Sequence, residues 1–568
     1  MHINVIPNRG AAPTILLRES FRDGTKVCKR TLANLSALSA AQVQMIRGAL
    51  RGDVLQAVEK TFEVIASPAH GHVQAVFLAM QRLGFASVLA SKPSRERDLV
   101  LAMVASRIIC PATKLATTRL WSVSTLAQEF GVSDADEDEL YAAMDWLLAG
   151  QDRIQKKLAA RHLKEDSLVL YDLSSSYFEG VQCPLAKLGY SRDGKRGTLQ
   201  VNYGLLTDDR GCPVAISVYE GNTSDSTTFV PQVKRLREEF GIASMVMVGD
   251  RGMISQKAID EMSKDTDVAW ITALRSSSIG TLVEQGHLQM DLFDERNLLE
   301  ISSPDFPGER LVACRNPELA KLRVHTRNDL LLATEKELEK IKLRVESAKL
   351  VGKDKIGVAA GKVVNRYKVS KHFELTITDD ALSFARLQDS IAAEAALDGL
   401  YIIRTSVQAQ RMDAPTCVRT YKSLAQVERA FRSIKTMDLK VRPIHHHLEN
   451  RVRAHIFLCM LAYYVEWHMR EAWRELMFSD EDQAAKLIRD PVAPAQRSDE
   501  AMKKVQSRTL DDGTPVHSFQ TLMATLAGIV RNTCRTPGGR ADAPTFEITT
   551  TPNPQQKRAL ELIGQIKM

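Results

Sequence analysis

Two short apolar segments that each end in an aspartate constrain the fold of this chain more than any other feature. The first is SLVLYD (167–172), and the second is SMVMVGD (244–250). Apolar runs of this length are typical of buried strands. Between them lie LQVNYGLLTD (199–208) and PVAISVYEG (213–221), and the tight Asp-Asp-Arg-Gly turn that joins these two predicts an antiparallel pair.

A helix separates this pair from the second aspartate segment. Residues 227–240 (TTFVPQVKRLREEF) have helical spacing, and Pro231 is expected in the first turn, where proline is tolerated. Three antiparallel strands, a helix and a returning strand form the opening order of the RNase H-like fold. In that order the first and fourth strands are neighbours, so Asp172 and Asp250 should meet at one edge of the sheet.

A later helix supplies a third carboxylate. SLAQVERAFRSIKT (423–436) begins with a predicted capping box of Ser423 and Gln426. Glu428 borders an apolar stripe on this helix, so packing on the sheet would place its carboxylate at the sheet's margin. Lys435 follows two turns further along the same face, about 10 Å away. The stripe consists of Leu424, Val427, Phe431 and Ile434.

These segments together resemble the bacterial insertion-sequence DDE transposases, in the branch whose core is interrupted between the second Asp and the Glu. The resemblance is carried by LVLYDLSSSYFEG, MVMVGDRGM and YKSLAQVERAFRSIK, and it extends over roughly 165–470. The last segment follows the branch's Tyr-(2)-Arg-(3)-Glu-(6)-Lys signature with Tyr421, Glu428 and Lys435. Leu424 occupies the Arg position, and Arg429 or Arg432 is a candidate substitute for the missing phosphate contact.

The resemblance implies a transposase that cuts the ends of its insertion sequence and joins them to target DNA. Asp172, Asp250 and Glu428 would be the catalytic carboxylates and would hold two Mg²⁺ ions, with Mn²⁺ as a substitute. Tyr421 and Lys435 would contact phosphates near the cleavage point. The expected partners are double-stranded DNA, as terminal inverted repeats and target, and a second copy of the chain in a synaptic complex.

Phosphoryl-transfer chemistry explains why these residue types are needed. Two divalent ions about 3.5–4 Å apart can activate the attacking oxygen and stabilise the leaving oxygen. Mg²⁺ prefers oxygen ligands, so the protein is expected to contribute three carboxylates and no cysteine to the metal site. Carboxylates crowded together raise one another's pKa unless cations lie among them. The three acidic residues therefore predict a metal-organised site.

The remainder of the chain is long enough for several domains. The predicted fold is α/β, an RNase H-like core split by an insertion of mixed strands and a long helix, with mostly helical regions before and after it. The predicted regions are an N-terminal β-hairpin segment (1–40), a helical DNA-end-binding region (41–165), the first core segment (166–275), the insertion (276–398), the second core segment (399–475), and a linker with a C-terminal helical region for dimerisation (476–568).

Basic residues offer further DNA contacts. Arg192, Lys195 and Arg196 lie in a loop that follows the first carboxylate strand, and they either contact substrate DNA or belong to a solvated loop. Arg432 either contacts DNA or pairs with Glu428 at i,i+4 spacing. The helices of 41–165 have a basic side that is either solvated or DNA-contacting, formed by Arg107, Lys114, Arg119, Lys156 and Lys157.

For several other residues, an ordinary structural role is favoured over a functional one. His445, His446 and His447 are adjacent and point in different directions, so DNA-backbone contact or an ordinary loop is favoured over zinc. Glu179 and Asp225 are candidate auxiliary ligands, but turn and cap roles fit better. Trp270 lies in an apolar strand and is expected in the core.

Composition narrows the class of protein. The net charge of +7 is compatible with nucleic acid but does not require it. The eight cysteines contain no CxxC pair, which argues against a zinc ribbon or disulfide framework and for a reducing compartment. The apolar run 456–465 is half the roughly 20 residues that span a bilayer, and the N-terminus lacks a signal-peptide pattern. We therefore expect a cytoplasmic protein without a membrane partner, and the resemblance implies that it is bacterial and has no small-molecule substrate.

Two alternatives remain open at the level of sequence. One is an RNase H-like nuclease or resolvase without strand transfer, although the long insertion and the terminal regions favour a transposase. The other is a catalytically silent DNA-binding descendant, although the intact Asp172, Asp250 and Glu428 weigh against it.

Overall fold

The computed structural model describes residues 1–53, 61–264, 267–288, 293, 297–482, 488–494, 496–536 and 543–567. They form two compact units, of which one comprises 1–68 with 529–551 and the other 69–528 with 552–568.

The first unit begins with a three-stranded antiparallel sheet of β1 (His2–Asn8), β2 (Ala11–Asp23) and β3 (Lys26–Asn34). The predicted hairpin turn is confirmed, and Gly24 in it has a φ of +63°, which glycine adopts without strain. Helix α1 (Ala40–Leu50) and strand β4 (Glu63–Ala66) follow.

The second unit begins with a run of helices, as the apolar spacing predicted. They are α2 (Gly71–Arg82), α3 (Phe85–Leu89), α4 (Arg95–Ile109), α5 (Lys114–Leu120), α6 (Leu126–Glu129), α7 (Glu137–Ala149) and α8 (Gln151–His162). The predicted basic side is wrong in part, because Arg107 and Lys114 are buried rather than exposed. Helix α4 is buried continuously from Leu99 to Ile108, which covers Arg107, and Lys114 at the start of α5 is 4% exposed. Burial lowers the pKa of Lys114 to about 7.

A mixed sheet forms the centre of the second unit. Its first segment comprises β5 (Ser167–Tyr177), β6 (Lys187–Leu188), β7 (Leu199–Thr207), β8 (Pro213–Glu220), α9 (Asp225–Glu238), β9 (Met245–Val248), α10 (Gln256–Met262), β10 (Val268–Ala273) and α11 (Ser276–Glu284). Strand β5 pairs antiparallel with β7 and parallel with β9, while β7 pairs antiparallel with β8 and β9 pairs parallel with β10. The order β8-β7-β5-β9-β10 is that of the RNase H-like fold, so the predicted fold is confirmed.

Two local predictions for this sheet have different outcomes. Trp270 is 1% exposed and belongs to the hydrophobic core, as predicted. Pro231 lies inside α9 rather than in its first turn, because the helix begins at Asp225, before the predicted start.

The stretch between the two core segments contains β11 (Leu298–Ile301), β12 (Arg310–Arg315), α12 (Pro317–Glu346), α13 (Lys353–Tyr367), β13 (Phe373–Ile377), β14 (Leu382–Arg386) and α14 (Gln388–Ala396), and it ends at β15 (Leu400–Thr405). Strands β11 and β12 join the central sheet, since β12 pairs with β15 and β15 pairs with β10. The long helix was predicted, and the segments HFELTIT (372–378) and GLYIIRTS (399–406) predict the strands β13 and β15. The segment KVVNRYKV (362–369) is also a candidate strand by sequence, and this prediction is wrong, because Ile356, Ala360 and Val364 recur every four residues and are buried in a cluster with α12.

The chain continues through α15 (Ala414–Lys422), α16 (Leu424–Arg432), a π-helical turn (Ser433–Met437) and the long helix α17 (Glu449–Ala472). The sequence predicts this last helix at about 448–475. The predicted capping box is wrong. Ser423 has helical dihedrals of −65° and −14°, makes no side-chain cap and instead donates its Oγ proton to the Thr420 carbonyl at 2.6 Å. The reason is that α15 leads into α16 with no extended residue between them.

The C-terminal region contains α18 (Asp499–Ser507), α19 (Phe519–Ala527), β16 (Arg531–Arg535), β17 (Thr545–Thr549) and α20 (Pro554–Gly564), and 3₁₀ turns elsewhere span Trp121–Val123, Ser370–His372 and Arg474–Leu476. Helix α18 lies where a linker was predicted. Strands β16 and β17 were not predicted, because β16 pairs with β4, more than 400 residues earlier. Within the described ranges, no single helix is long and apolar enough to cross a membrane, and one bent pair, 95–109 with 114–123, passes the length and composition test.

Candidate active site

The sheet register brings Asp172 and Asp250 to the same level of adjacent strands. In the parallel pair β5–β9, Leu170 lies opposite Val248, and each aspartate comes two residues later on its own strand. The sequence predicted Asp172 at the end of its strand. This prediction is wrong, because β5 continues to Tyr177 in its pairing with β7. Asp250 does follow the end of β9, in a turn that leads towards α10.

Helix α16 carries Glu428 to this sheet. Three of the four residues of its predicted apolar stripe are buried, and Leu424 is half-buried. Val427 and Ile434 are fully covered, and the Phe431 ring packs edge-on against the ring of Tyr203 on β7 at 5.8 Å. The helix lies against β5, the strand of Asp172. Glu428 is exposed, so its side chain is open to solvent beside the packed face.

The electrostatics of Asp172 indicate that the three carboxylates are close together. The pKa of Asp172 rises to about 7, chiefly because of burial and further because of the negative charges of Asp250 and Glu428. The backbone N–H of Leu173, which donates to Asp172 Oδ1 at 2.8 Å, and the cation of Arg192 oppose this rise. A cluster with more anions than cations is chemically suited to binding a hard divalent ion.

Tyr421, at the end of α15, contacts the carboxylate cluster directly. Its Oη donates to Asp250 Oδ1 at 3.2 Å. Burial, the charge of Asp250 and this hydrogen bond raise the pKa of Tyr421, so its hydroxyl remains a proton donor. The structure thus gives Tyr421 a carboxylate partner, whereas the sequence predicted only a phosphate contact.

Lys435 lies in a buried ion pair instead of on a solvated helix face. Its Nζ is 2.9 Å from Asp193 Oδ1, and Arg442 also pairs with this oxygen. The Asp193 side chain is 1% exposed, and its Oδ2 accepts the backbone N–H of Tyr177 at 3.0 Å. Although burial alone would raise the pKa of Asp193, its hydrogen bonds from Arg442 and Lys435 keep it below the usual value.

Sequence reasoning missed Asp193 and Arg442. Asp193 stands inside the loop whose basic residues were predicted to contact DNA, and its position between Arg192 and Lys195 was the available signal. Arg442 comes just after the π-helical turn, and no local pattern links it to that loop.

The basic residues of the loop, and Arg432 on α16, lie in different environments. Arg192 forms an ion pair with Asp225, and its backbone N–H donates to Ser175 Oγ at 3.0 Å. Lys195 Nζ lies 3.5 Å above the centre of the Tyr177 ring. Arg196 and Arg432 are exposed. Arg192 therefore helps to balance the charge at Asp172, and the other three lie towards solvent.

The other residues considered as possible ligands or DNA contacts do not lie in the carboxylate cluster in the described part of the chain. Asp225, at the start of α9, is the partner of Arg192, and Glu179 is exposed next to a backbone bridge to Ile444. His446 packs its ring against the rings of Tyr141 and His455, with centroid distances of 6.1 and 5.1 Å. His445 and His447 are exposed.

Comparison with known proteins decides the family. A family model described as the transposase DDE domain matches residues 165–465, which is more than half of the chain. The chain belongs to the DDE transposase family. This DDE transposase is therefore a DNA endonuclease and strand transferase, and its family uses divalent metal ions. The predicted function is confirmed, and neither a nuclease without strand transfer nor a silent descendant is favoured.

One similar solved structure is a cryo-EM structure of a piggyBac transposase synaptic complex with hairpin DNA. It shares 9% identity, the match covers 83% of this chain and 87% of that chain, and the TM-score is 0.33. A search of curated proteins found no match. A similarity this weak carries no argument about the chemistry of this DDE transposase.

Proposed function

We propose that Asp172, Asp250 and Glu428 form the catalytic site of this transposase and hold two Mg²⁺ ions, with Mn²⁺ as a substitute. The observation that supports this most is the pKa of Asp172, which rises to about 7 by burial and by the charges of the other two carboxylates. Such a cluster is stable in its ionised form only with added positive charge, and oxygen ligands suit Mg²⁺.

The bound ions would supply Lewis acidity to the attacking and leaving oxygens of the phosphodiester. The chain's own residues position that chemistry. Tyr421 holds Asp250 through its hydrogen bond, the N–H of Leu173 fixes one oxygen of Asp172, and the packing of Phe431 sets the position of Glu428. Because these partners belong to rigid strands and helices, the carboxylates are held before substrate binds.

The substrate we propose is double-stranded DNA, first the terminal inverted repeats and then the target, bound by two copies of the chain. Lys195, Arg196 and Arg432 are exposed cations that would contact backbone phosphates, while Arg192 and Lys435 would do so from less exposed positions. In the helical region, Arg119 and Lys156 are exposed and remain candidates for binding the element ends.

The first prediction concerns the three carboxylates. Glu428→Gln should lower the rate of strand nicking in Mg²⁺ by at least about two orders of magnitude, because the amide keeps the size of the carboxylate and loses its charge. Asp172→Asn and Asp250→Asn should do the same, and combining them should add little, because ligands of one site act as a unit. The measurement is nicking of a labelled element-end duplex in Mg²⁺, Mn²⁺ and Ca²⁺.

The control is Glu238→Gln, which removes an equal charge from the exposed end of α9. It should nick at the rate of the unmodified protein, and all variants should bind the end duplex. Ca²⁺ should support binding without efficient cleavage, because its bonds are longer and its geometry looser. Robust nicking by Glu428→Gln in Mg²⁺ would remove Glu428 from the site.

A further inference from the structure

A second group of metal-ligand side chains lies outside the carboxylate cluster. His162 ends α8, Cys212 precedes β8, and His468 lies near the end of α17. The Cys212 Sγ is 4.0 Å from His162 Nε2 and 3.8 Å from His468 Nε2, and the three ligand atoms all lie within 4.8 Å of one another. Cys212 is fully buried and His468 is 9% exposed.

Hydrogen bonds between the three side chains do not explain why their ligand atoms lie so close together. A thiol has one proton, yet two imidazole nitrogens face the same sulfur at separations long for such bonds. His162 Nε2 also has the Tyr464 hydroxyl at 3.0 Å, so it does not depend on the thiol. A sulfur and a nitrogen ligand on one tetrahedral zinc ion are roughly 3.5 Å apart, which follows from bonds of about 2.3 and 2.0–2.1 Å.

Burial disfavours the charged forms of all three side chains. Burial, together with Arg210 and Arg161, lowers the pKa of His162 to about 4, and burial with His162 and the same two arginines lowers the pKa of His468 to about 3. The same burial raises the pKa of the Cys212 thiol, so the convergence of the three ligand atoms is what identifies the proposed site. The charge of Arg210 is partly balanced, because its guanidinium forms an ion pair with Asp208 at 2.8 Å.

We propose that His162, Cys212 and His468 bind a zinc-like transition-metal ion at a structural site distinct from the catalytic carboxylates. A thiolate with two imidazoles selects Zn²⁺ over Mg²⁺, because soft sulfur is a poor ligand for a hard ion. Binding would release the thiol proton of Cys212 to solvent and form a sulfur–metal bond. Binding through His162 Nε2 would replace its hydrogen bond with the Tyr464 hydroxyl, and a water molecule would complete the coordination.

Such an ion would join three segments that are distant in the sequence. His162 comes five residues before β5, Cys212 belongs to the β7–β8 turn, and His468 belongs to α17. It would thus tie the helical region and α17 to the sheet that carries Asp172. The role is structural, so removing the ion should lower thermal stability.

The test uses full-length protein purified without chelators or immobilised metal. Mass spectrometry of the metals should find about one zinc per chain. After removal of zinc, Co²⁺ should give the near-ultraviolet charge-transfer band of a sulfur ligand and tetrahedral visible bands. Cys212→Ser should lose the charge-transfer band and most of the zinc, and His468→Gln should lose most of the zinc.

Two controls separate this site from other causes. Cys459→Ser removes another buried thiol from α17 and should keep the zinc and the cobalt band. Asp250→Asn alters the carboxylate cluster and should also keep both, so failure of the catalytic proposal would not affect this result. If Cys212→Ser does not fold, the cobalt spectrum of the unmodified protein still decides. Absence of both stoichiometric zinc and the sulfur band would overturn the proposal, as would equal loss in Cys212→Ser and Cys459→Ser.

Discussion

Lys435 and Arg442 share one almost fully buried carboxylate, Asp193, in the loop that also carries Arg192. The pKa of Lys435 is lowered by burial despite this partner, so the ammonium depends on Asp193 to remain charged. Arg192 in turn balances part of the negative charge at Asp172. The ion pair of Lys435 therefore holds the loop beside the carboxylate cluster.

The second prediction follows from this pairing. Lys435→Ala should lower the free energy of unfolding by about 1.5–3 kcal/mol, the range for a hydrogen bond to a charged group, because Asp193 loses one of its two cationic partners. It should also lower the slope of log affinity for end DNA against log salt by about one unit if Lys435 contacts a phosphate. Denaturant unfolding and a salt titration measure the two effects.

The control is Lys362→Ala on the exposed surface of α13, which should change neither quantity. A loss of stability with an unchanged salt slope would restrict Lys435 to the ion pair and contradict the proposed phosphate contact.

The third prediction concerns His446. Burial, with the nearby cations of Lys114, Arg107 and Arg451, lowers the pKa of His446 to about 3, so the folded protein keeps this ring neutral while the unfolded chain protonates it below about pH 6.5. Its contribution to stability is present above about pH 6.5 and is lost as the pH falls towards 3. His446→Gln should therefore reduce the dependence of unfolding free energy on pH, by up to about 1.4 kcal/mol per pH unit between about pH 6 and 4.

The measurement is denaturant unfolding at several pH values from about 8 to 4. His445→Gln, at an exposed neighbour in the same loop, is the control and should keep the dependence of the unmodified protein. An identical dependence in His446→Gln would show that this ring is protonated to the same degree in the folded and unfolded states.

At the scale of elements, the junction of α15 and α16 determines the position of Glu428. Ser423 continues the helix, so Tyr421 and Glu428 belong to one nearly uninterrupted helical segment. Tyr421 contacts Asp250 from this segment, and Val427 and Phe431 pack it on the sheet. The spacing between the tyrosine and the glutamate is therefore a consequence of helical geometry.

The fourth prediction tests this junction. Ser423→Ala should change the free energy of unfolding by less than about 0.5 kcal/mol, because Ser423 does not cap a helix. Ser94→Ala is the comparison, since Ser94 caps α4 by accepting the N–H of Arg97 at 3.2 Å, and its loss should cost about 1 kcal/mol. A loss of about 1 kcal/mol in the free energy of unfolding of Ser423→Ala would instead support the predicted capping box.

At the scale of the whole molecule, the helical region before β5 and the catalytic sheet belong to the same compact unit. Helices α4 and α7 pack against α17, whose residues 454–469 are buried without interruption. Removal of the helical region would expose this apolar surface to water, at a cost of roughly 25 cal/mol per Å².

The fifth prediction is that a chain starting at residue 166 will not fold into a stable catalytic core. It should be insoluble or lack a cooperative unfolding transition, as measured by solubility, circular dichroism and denaturant titration. DNA-end binding by the helical region is therefore better tested in the full chain with Arg119→Gln and Lys156→Gln, which remove exposed cations and leave the packing intact. A soluble, cooperatively unfolding protein from residue 166 would contradict the packing argument.

The sequence by itself determined the local order of strands and helices in the core, and with it the meeting of Asp172 and Asp250. Each strand is a short apolar run, and neighbouring strands in this order pair within about 80 residues. The apolar stripe that orients Glu428 could also be predicted from the sequence, because the helical period depends only on local spacing. The family signature supplied Tyr421 and Lys435, but not their partners.

Only the tertiary structure decided which distant groups meet. It paired Lys435 with Asp193, buried Arg107 and Lys114, placed β16 beside β4, and brought Cys212 to His162 and His468. These contacts join residues that lie tens to hundreds of positions apart. Local spacing carries no information about them, because they depend on how whole elements pack to bury apolar surface and satisfy polar groups.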